Sequence, residues 1–180
     1  LSNTYNCNIV HDIIELHHYD DSFRRFQEYR YSLTKGLGSN GCRILYHGTN
    51  ETNIKSIIQN DFALINDVSH GEVYGSGIYF TNDLNKACNY SRDSSIYKYV
   101  LMCYVHIGDI VKGNTSLKMM PINKESDFTG ILYDTVVDNI DNPKQFIKKK
   151  NNQFTFLAVL KIKFNSVKCQ NYDIAKFTKI

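Results

Sequence analysis

The segment from residue 97 to residue 110, YKYVLMCYVHIGDI, constrains the fold of this 180-residue chain more than any other. It is long and rich in aromatic and β-branched side chains, which favour strands, and Gly108 ends it. We therefore predict a central strand of a sheet here. Two further apolar stretches, residues 131–137 and 154–164, predict more strands, so the expected class after residue 43 is strand-rich α+β.

Residues 10–33 combine many charges with a few apolar positions. Those apolar residues are Ile13, Ile14, Leu16, Phe23 and Phe26. Their spacing favours helical segments with one buried face, so we predict an N-terminal helix.

A second helix is predicted after residues 43–47, RILYH, which have the composition of a short buried strand. Thr49, Asn50 and Thr52 are cap-type residues. The isoleucines that follow them at helical spacing are Ile54, Ile57 and Ile58. His47 is therefore expected where a strand ends and a loop begins, a common place for catalytic side chains.

Composition limits the classes of protein to which the chain can belong. With 42% hydrophobic residues it can bury one core, so residues 1–180 are predicted to form a single domain. The net charge of +3 fits a neutral or anionic small ligand and does not imply a nucleic-acid groove. No stretch approaches the roughly eighteen uncharged apolar residues that span a bilayer, so we expect a soluble protein without membrane contact.

The five cysteines indicate a reducing compartment. They lie far apart, their number is odd, and none has the spacing of zinc ligands. They are Cys7, Cys42, Cys88, Cys103 and Cys169. We expect reduced thiols, no bound metal, and a cytoplasmic or nuclear location.

Residues 70–90, HGEVYGSGIYFTNDLNKACNY, place two glycines shortly before an apolar strand. Gly75 and Gly77 begin like a dinucleotide-binding fingerprint, but the third glycine is missing and a strand follows in place of a helix. A P-loop is excluded because no Gly-Lys-Ser/Thr follows. The glycines instead predict a sharp turn that delivers Tyr79 at the start of a strand.

A short helix is predicted between Tyr79 and Tyr90. Its cap is Asn82 or Asp83, and its inner face is Leu84, Ala87 and Cys88. Two rings placed in this way can hold a flat ligand between them, each adding about 0.5–1.5 kcal/mol beyond burial. A tyrosine considered alone is more often a core residue than a ligand-binding one, but the neighbouring motifs favour ligand binding here.

Two segments form a specific combination: LYHGTN at residues 45–50 and YGSGIYFTNDLNKACNYS at residues 74–91. Together they resemble the catalytic domain of the poly(ADP-ribose) polymerase family, the diphtheria-toxin-like ADP-ribosyltransferases. Further matches follow in order: MCYVHIGDI at 102–110, YDTVVDN at 133–139, NP at 142–143 and LKIKFN at 160–165. YDTVVDN and NP are similar to the loop and turn that precede the last active-site strand in the mono-ADP-ribosyltransferase members of the family.

The resemblance implies an α+β fold of two packed, mainly antiparallel sheets flanked by short helices, with a helix at the N-terminus. It covers residues 10–165 and implies that the single domain over residues 1–180 is a catalytic ADP-ribosyltransferase domain.

The implied activity is transfer of ADP-ribose from NAD to an acceptor, expected to be a protein side chain, with release of nicotinamide. NAD is then a co-substrate. Tyr79 and Tyr90 would sandwich the nicotinamide, and the backbone of Gly48 would bind its carboxamide. His47 would bind a hydroxyl of the adenosine-side ribose, and Thr49 a second hydroxyl.

Gln145 is the most informative departure from the family. Counting back without gaps from the closing strand places it where polymerising members carry a glutamate. Glutamine can hydrogen-bond but carries no charge and cannot act as a base, so chain elongation should fail and transfer of single units is expected. A slip of one in register would place Lys144 or Phe146 there instead.

Two more positions predict weak NAD binding. Ala87 stands where polymerising members have a serine that binds the carboxamide, and Ala63 stands where they have an arginine near the adenosine end. Each missing hydrogen bond costs about 1 kcal/mol. Asn53 matches an asparagine of the family.

Two alternatives stay open. Gln145 and Ala87 favour a module that binds NAD or ADP-ribose with weak or no turnover. The basic, aromatic-flanked residues 144–154 favour a nucleic-acid acceptor, which the small net charge makes the weaker alternative. The lysine run at 148–150 is itself predicted to be a solvated edge or loop.

Overall fold

The order of elements is given by a computed structural model that describes residues 8–15, 21–33, 41–63, 73–91, 97–126 and 129–164. In chain order they are β1 (Asn8–Glu15), α1 (Asp21–Ser32), β2 (Cys42–Thr49), α2 (Glu51–Asn60), β3 (Ile78–Thr81), α3 (Leu84–Tyr90), β4 (Tyr97–His106), β5 (Ile110–Lys112), β6 (Thr135–Val137), β7 (Gln145–Lys148), a short 3₁₀ helix (Asn151–Gln153) and β8 (Phe154–Phe164).

The strands form a sheet in the order β1-β8-β4-β2-β3-β7-β6-β5. Every neighbouring pair is antiparallel except β5 with β6. β2 pairs with β4 over its whole length, whereas it pairs with β3 through Tyr46 and Thr81 alone. The α+β, mainly antiparallel prediction is confirmed. In place of the two expected sheets there is one eight-stranded sheet with two halves, β1-β8-β4-β2 (the first half) and β3-β7-β6-β5 (the second half), which this one residue pair joins.

The core lies between the two halves, and aromatic side chains fill it. Phe80 and Phe146 of the second half share one buried cluster with Phe154 and Phe156 of the first. The ring centroids of Phe80 and Phe154 are 5.2 Å apart. Because large apolar surfaces are buried from both sides, the halves pack together although so few strand hydrogen bonds join them.

The N-terminal helix prediction was wrong for residues 10–15, which belong to the strand β1. β1 pairs with β8 from Asn8 to Glu15, so the backbone groups on that side of β8 find partners. This long-range pairing overrides the local spacing that favoured a helix. The helix itself is α1, with Phe26 buried, and Leu16 lies outside the described residues.

Most of the other predicted elements are confirmed. β4 lies between β8 and β2, but it ends at His106, and Ile110 begins the separate strand β5. Asn50 caps α2 through its side chain, and Asp83 caps α3. His47 lies within β2, two residues before the strand ends. In the described part of the chain, no helix has the length and apolar character needed to cross a membrane.

The prediction that residues 148–150 are solvated was wrong for Lys148, which is fully buried on β7. Its ammonium group donates to the carbonyl of His106 (3.0 Å), the carbonyl of Asp134 (2.5 Å) and Oγ1 of Thr135 (2.8 Å). The Asp134 carboxylate, also buried, accepts hydrogen bonds from the Tyr29 hydroxyl and the Asp109 N–H. An ammonium can remain inside a protein only when acceptors surround it in this way.

We expect Lys148→Ala to lower the free energy of unfolding by about 3 kcal/mol or more, because three buried acceptors lose their donor and a cavity remains. Urea denaturation measures this. The matched control is Lys150→Ala at the exposed end of the same run, which should change stability by less than about 0.5 kcal/mol. Equal effects of the two substitutions would contradict the burial of Lys148.

Candidate functional site

His47 connects the two motifs at the centre of the candidate site. Its Nδ1 lies 2.8 Å from the carbonyl oxygen of Tyr79. Because a carbonyl only accepts hydrogen bonds, Nδ1 carries the proton, and Nε2 of the neutral ring is an acceptor. Burial lowers the pKa of His47, and the hydrogen bond to the Tyr79 carbonyl opposes this shift in part. The ring is therefore neutral at pH 7 and offers a lone pair.

Phe62 fixes the orientation of the His47 ring and was not found from the sequence. The two rings meet edge to face with centroids 4.6 Å apart. Phe62 follows Asp61, where α2 ends with a positive φ of 62° and where Arg25 pairs with the carboxylate. The Asn151 side chain donates to the Phe62 carbonyl at 3.0 Å. No motif or periodicity marks such a residue, because its partners come from distant parts of the chain.

The glycine turn positions Tyr79 as the sequence predicts. Gly75 and Gly77 have φ values of +108° and +145°, which residues other than glycine rarely adopt. The Tyr79 hydroxyl donates to the Gly75 carbonyl at 2.6 Å and accepts from the Tyr74 N–H at 3.2 Å. Since these bonds occupy the hydroxyl, the half-buried Tyr79 ring can act on a ligand through its face.

Gly48 allows α3 to pack directly on β2. A Cβ atom at this position would lie 1.7 Å from the carbonyl oxygen of Ala87. The Ala87 side chain is fully buried in a cluster that includes Tyr46 and Val100. Tyr90, the last residue of α3, is 49% exposed, so its ring has surface that a ligand could cover. The close packing at Gly48 thus brings the helix that carries Tyr90 against the strand that carries His47.

Gln145 is the first residue of β7 and pairs with Thr81, while Tyr79 pairs with Ile147. Alternate residues of a strand point to the same face, so Gln145 and Tyr79 share one face of this strand pair. Phe146 points to the opposite face and is fully buried. This register favours Gln145 over Lys144 and Phe146 as the candidate site residue that joins His47 and Tyr79.

Asp138 anchors the backbone of Gln145 and is a second residue that sequence reasoning missed. Its Oδ1 accepts the N–H groups of Lys144 (2.9 Å) and Gln145 (3.1 Å). Its own N–H donates to the Gln145 carbonyl at 3.4 Å. Lys144 is exposed and precedes the strand. An Asp between two apolar strands could have indicated such a turn, but not which residue it anchors.

Thr49 and Asn53 lie next to His47 on the chain and bind each other. Thr49 is buried, and its Oγ1 accepts from Nδ2 of Asn53 at 3.2 Å. This bond uses one lone pair of Oγ1, so the Thr49 hydroxyl retains its proton for donation. Ala63, the position of the missing arginine, is exposed just beyond Phe62.

Among the described residues, no group of three His, Cys, Asp or Glu side chains could bind a metal ion. The described cysteines, Cys42, Cys88 and Cys103, are free thiols, and burial raises the pKa of Cys88 to about 11. Cys7 and Cys169 lie outside the described residues. A cavity of about 200 Å³ beside Tyr29 is lined by none of the predicted site residues.

The family model of the poly(ADP-ribose) polymerase catalytic domain matches residues 2–154. The chain belongs to this family. The matched range includes His47, Tyr79, Tyr90 and Gln145, which are among the residues that the resemblance singled out.

Three relatives in this family illustrate the degree of similarity. Protein mono-ADP-ribosyltransferase PARP12 of Mus musculus is 31% identical over 111 residues, which are 62% of this chain and 15% of the relative. PARP11 of Mus musculus is 28% identical over 139 residues, covering 66% and 41%. PARP14 of Homo sapiens is 34% identical over 106 residues, covering 57% and 6%. The chain thus spans less than half the length of each of these relatives.

The fold is similar to a solved structure, the PARP domain of Arabidopsis RADICAL-INDUCED CELL DEATH1. The TM-score is 0.71 over 88% of this chain and 89% of that one, at 18% sequence identity. At this identity the comparison shows a shared fold.

The structure thus brings His47 and Tyr79 into direct contact, packs Gly48 against Ala87, and places Gln145 on the same face as Tyr79. The ligand-binding and catalytic roles of these residues stay predictions.

We expect Gly48→Ala to destabilise the domain by at least about 2 kcal/mol, because the new methyl group would collide with the Ala87 carbonyl. Chemical denaturation measures the loss. Asn89→Ala, on the exposed side of α3, is the control and should cost less than about 0.5 kcal/mol. If Gly48→Ala is as stable as the control, α3 does not pack on β2 as described.

The lowered pKa of His47 predicts a loss of stability in acid. The folded state binds a proton at His47 less readily than the unfolded state does. The contribution of His47 to the free energy of unfolding is therefore fully present above the ordinary histidine pKa and is lost as the pH falls. We expect a smaller fall in unfolding free energy between about pH 7.5 and pH 5 in His47→Gln than in the unsubstituted protein. Parallel pH profiles of the two proteins would refute a neutral His47 with a lowered pKa.

Proposed function

We propose that this domain transfers a single ADP-ribose unit from NAD to an acceptor protein and releases nicotinamide. The observation that carries the proposal is the contact between His47 Nδ1 and the Tyr79 carbonyl. It unites the two motifs and leaves an acceptor nitrogen and an aromatic face available for a ligand. Membership of the family supports ADP-ribosyl transfer, and the names of PARP11, PARP12 and PARP14 support transfer of single units.

The residues present fit NAD along the edge of β2. This strand pairs with β3 only at Tyr46, and Gly48 lies two residues beyond that pair. The N–H of Gly48 can donate to the oxygen of a carboxamide, and its C=O can accept from the NH₂ group. Nε2 of His47 can accept a ribose hydroxyl, and Thr49 adds a second polar contact close by.

Tyr79 and Tyr90 supply the surfaces for the nicotinamide ring. The Tyr79 hydroxyl is bonded to the turn, so its ring is fixed, whereas Tyr90 is half exposed at the end of α3. A fixed ring on one side and an accessible ring on the other allow a flat group to enter and then stack. Each stacking contact contributes about 0.5–1.5 kcal/mol beyond burial.

Gln145 determines which chemistry the site can support. Cleavage of the bond to nicotinamide develops positive charge on the ribose, as in glycoside hydrolysis. The amide oxygen of Gln145 can stabilise this charge only as a dipole, and it cannot remove a proton from a further ribose. We therefore propose slow transfer of one unit, with an acceptor carboxylate supplying the charge that Gln145 lacks.

A second candidate function is binding of NAD or ADP-ribose without turnover. The neutral Gln145 favours it, and so does Ala87, whose buried methyl group offers no hydrogen bond to a carboxamide. A nucleic-acid acceptor has less support. Lys148 is buried, and the ammonium of Lys149 donates to carbonyls of the same chain, so the lysine run does not present a basic surface.

The test is release of nicotinamide from NAD by the purified domain, with Tyr79→Ala as the site variant. We expect release that falls at least about tenfold in this variant, since the ring that orients the nicotinamide is gone. Tyr31→Ala is the control, because Tyr31 is 87% exposed on α1. Gln145→Glu should raise release about tenfold or more, because a carboxylate stabilises the developing charge.

Three outcomes would contradict this proposal in different ways. NAD binding without release above the buffer blank would favour the binding module. Long ADP-ribose chains on product gels would exclude transfer of single units. Equal release by Tyr79→Ala and Tyr31→Ala would place the chemistry outside the site described above.

A further inference from the structure

The ammonium group of Lys149 lies where the end of β7 meets two loops. Its Nζ is within hydrogen-bonding distance of the Ser76 carbonyl (2.5 Å) and the Ser76 hydroxyl (3.3 Å). It also donates to the carbonyls of Leu117 (3.2 Å) and Lys118 (3.1 Å). Three carbonyl dipoles therefore converge on one positive charge.

The same two loops make further contacts around this charge. The Ser76 N–H donates to the Leu117 carbonyl at 3.2 Å, and the Ser76 hydroxyl donates to the Lys118 carbonyl at 3.1 Å. A Cβ atom at Gly75 would lie 2.4 Å from the Leu117 oxygen, so the backbones approach very closely. Carbonyls gathered this tightly repel one another unless a cation lies among them. Lys149 is the cation that the structure places there.

Ser76 is also the middle residue of the turn that positions Tyr79. The carbonyl of the neighbouring Gly75 accepts a hydrogen bond from the Tyr79 hydroxyl, and the Tyr74 N–H donates to the same hydroxyl. A shift of the turn away from residues 117–118 would therefore move both hydrogen-bond partners of the Tyr79 hydroxyl. The orientation of the Tyr79 ring thus depends on how firmly Ser76 is fixed.

We propose that Lys149 is a positioning residue for the NAD site: its ammonium group ties the glycine turn to residues 117–118 and so fixes the Tyr79 ring. The inference rests on the proposed function for its link to NAD, whereas the tie itself is a property of the fold. Lys149 touches neither the ligand nor His47 in this scheme. It acts only through the turn, so its loss should affect NAD binding more than the chemical step.

The test uses Lys149→Met, which keeps most of the length of the side chain and removes the charge. Lys149→Arg is the conservative variant, because a guanidinium can donate to several carbonyls. Lys150→Met is the matched control at the exposed neighbouring position. Lys149→Gln replaces the methionine variant if the latter does not fold, which thermal melting reports.

The first readout is hydrogen exchange of the backbone amides and does not depend on activity. We expect faster exchange at Tyr74 and Ser76 in Lys149→Met, because movement of the turn separates the Ser76 N–H from the Leu117 carbonyl and the Tyr74 N–H from the Tyr79 hydroxyl. The second readout is the kinetics of nicotinamide release. The KM for NAD should rise about three- to tenfold with a smaller change in kcat, since one stacking ring loses its orientation. In Lys149→Arg, the exchange rates and the KM should stay close to those of the unsubstituted domain. Lys150→Met should change neither quantity.

Unchanged exchange at Tyr74 and Ser76 in Lys149→Met would overturn the proposal. Faster exchange with an unchanged KM would overturn the link to NAD, because the turn would then move without consequence for the ligand. If the unsubstituted domain neither binds NAD nor releases nicotinamide, the proposed function fails and the link to NAD fails with it. The exchange measurement still decides separately whether Lys149 holds the turn.

Discussion

The separation of β2 from β3 after a single residue pair is the constraint on which the site depends. Tyr46 and Thr81 join the two halves of the sheet, and the strands do not pair beyond them. The edge of β2 that carries His47 and Gly48 is thereby left accessible to a ligand. The aromatic core between the halves compensates for the missing strand pairing, since Phe80, Phe146 and their neighbours pack together where hydrogen bonds do not reach.

A buried lysine, Lys148, and a half-buried one, Lys149, join the end of β7 to neighbouring segments. Lys148 donates to the His106 carbonyl at the end of β4 and to the side-chain oxygen of Thr135 in β6, and Lys149, which directly follows β7, donates to carbonyls of two loops. Two adjacent lysines, one the last residue of β7 and the other just beyond it, thus serve two separate sets of acceptors. The site residue Gln145 begins the same short strand. The buried Lys148 and the candidate site residue Gln145 therefore lie at opposite ends of one four-residue strand.

Much of the fold could be predicted because the relevant signals are local. The aromatic and β-branched run from residue 97 predicted β4, and Asn50 and Asp83 marked the starts of α2 and α3. The N-terminal helix was misplaced because β1 exists only through its pairing with β8. In the site, the motifs pointed to His47 and Tyr79, but no local signal pointed to Phe62, whose contacts come from distant segments.

The sequence by itself determined the family, the strand-rich α+β class and the candidate residues, because glycine spacing, cap residues and short motifs act over a few positions. Only the tertiary structure decided that His47 donates to the Tyr79 carbonyl, that Gln145 shares a face with Tyr79, and that a lysine run lies partly inside the fold. The physical reason is that strand register and the pairing of buried charge depend on segments far apart along the chain, which meet only when the core has formed.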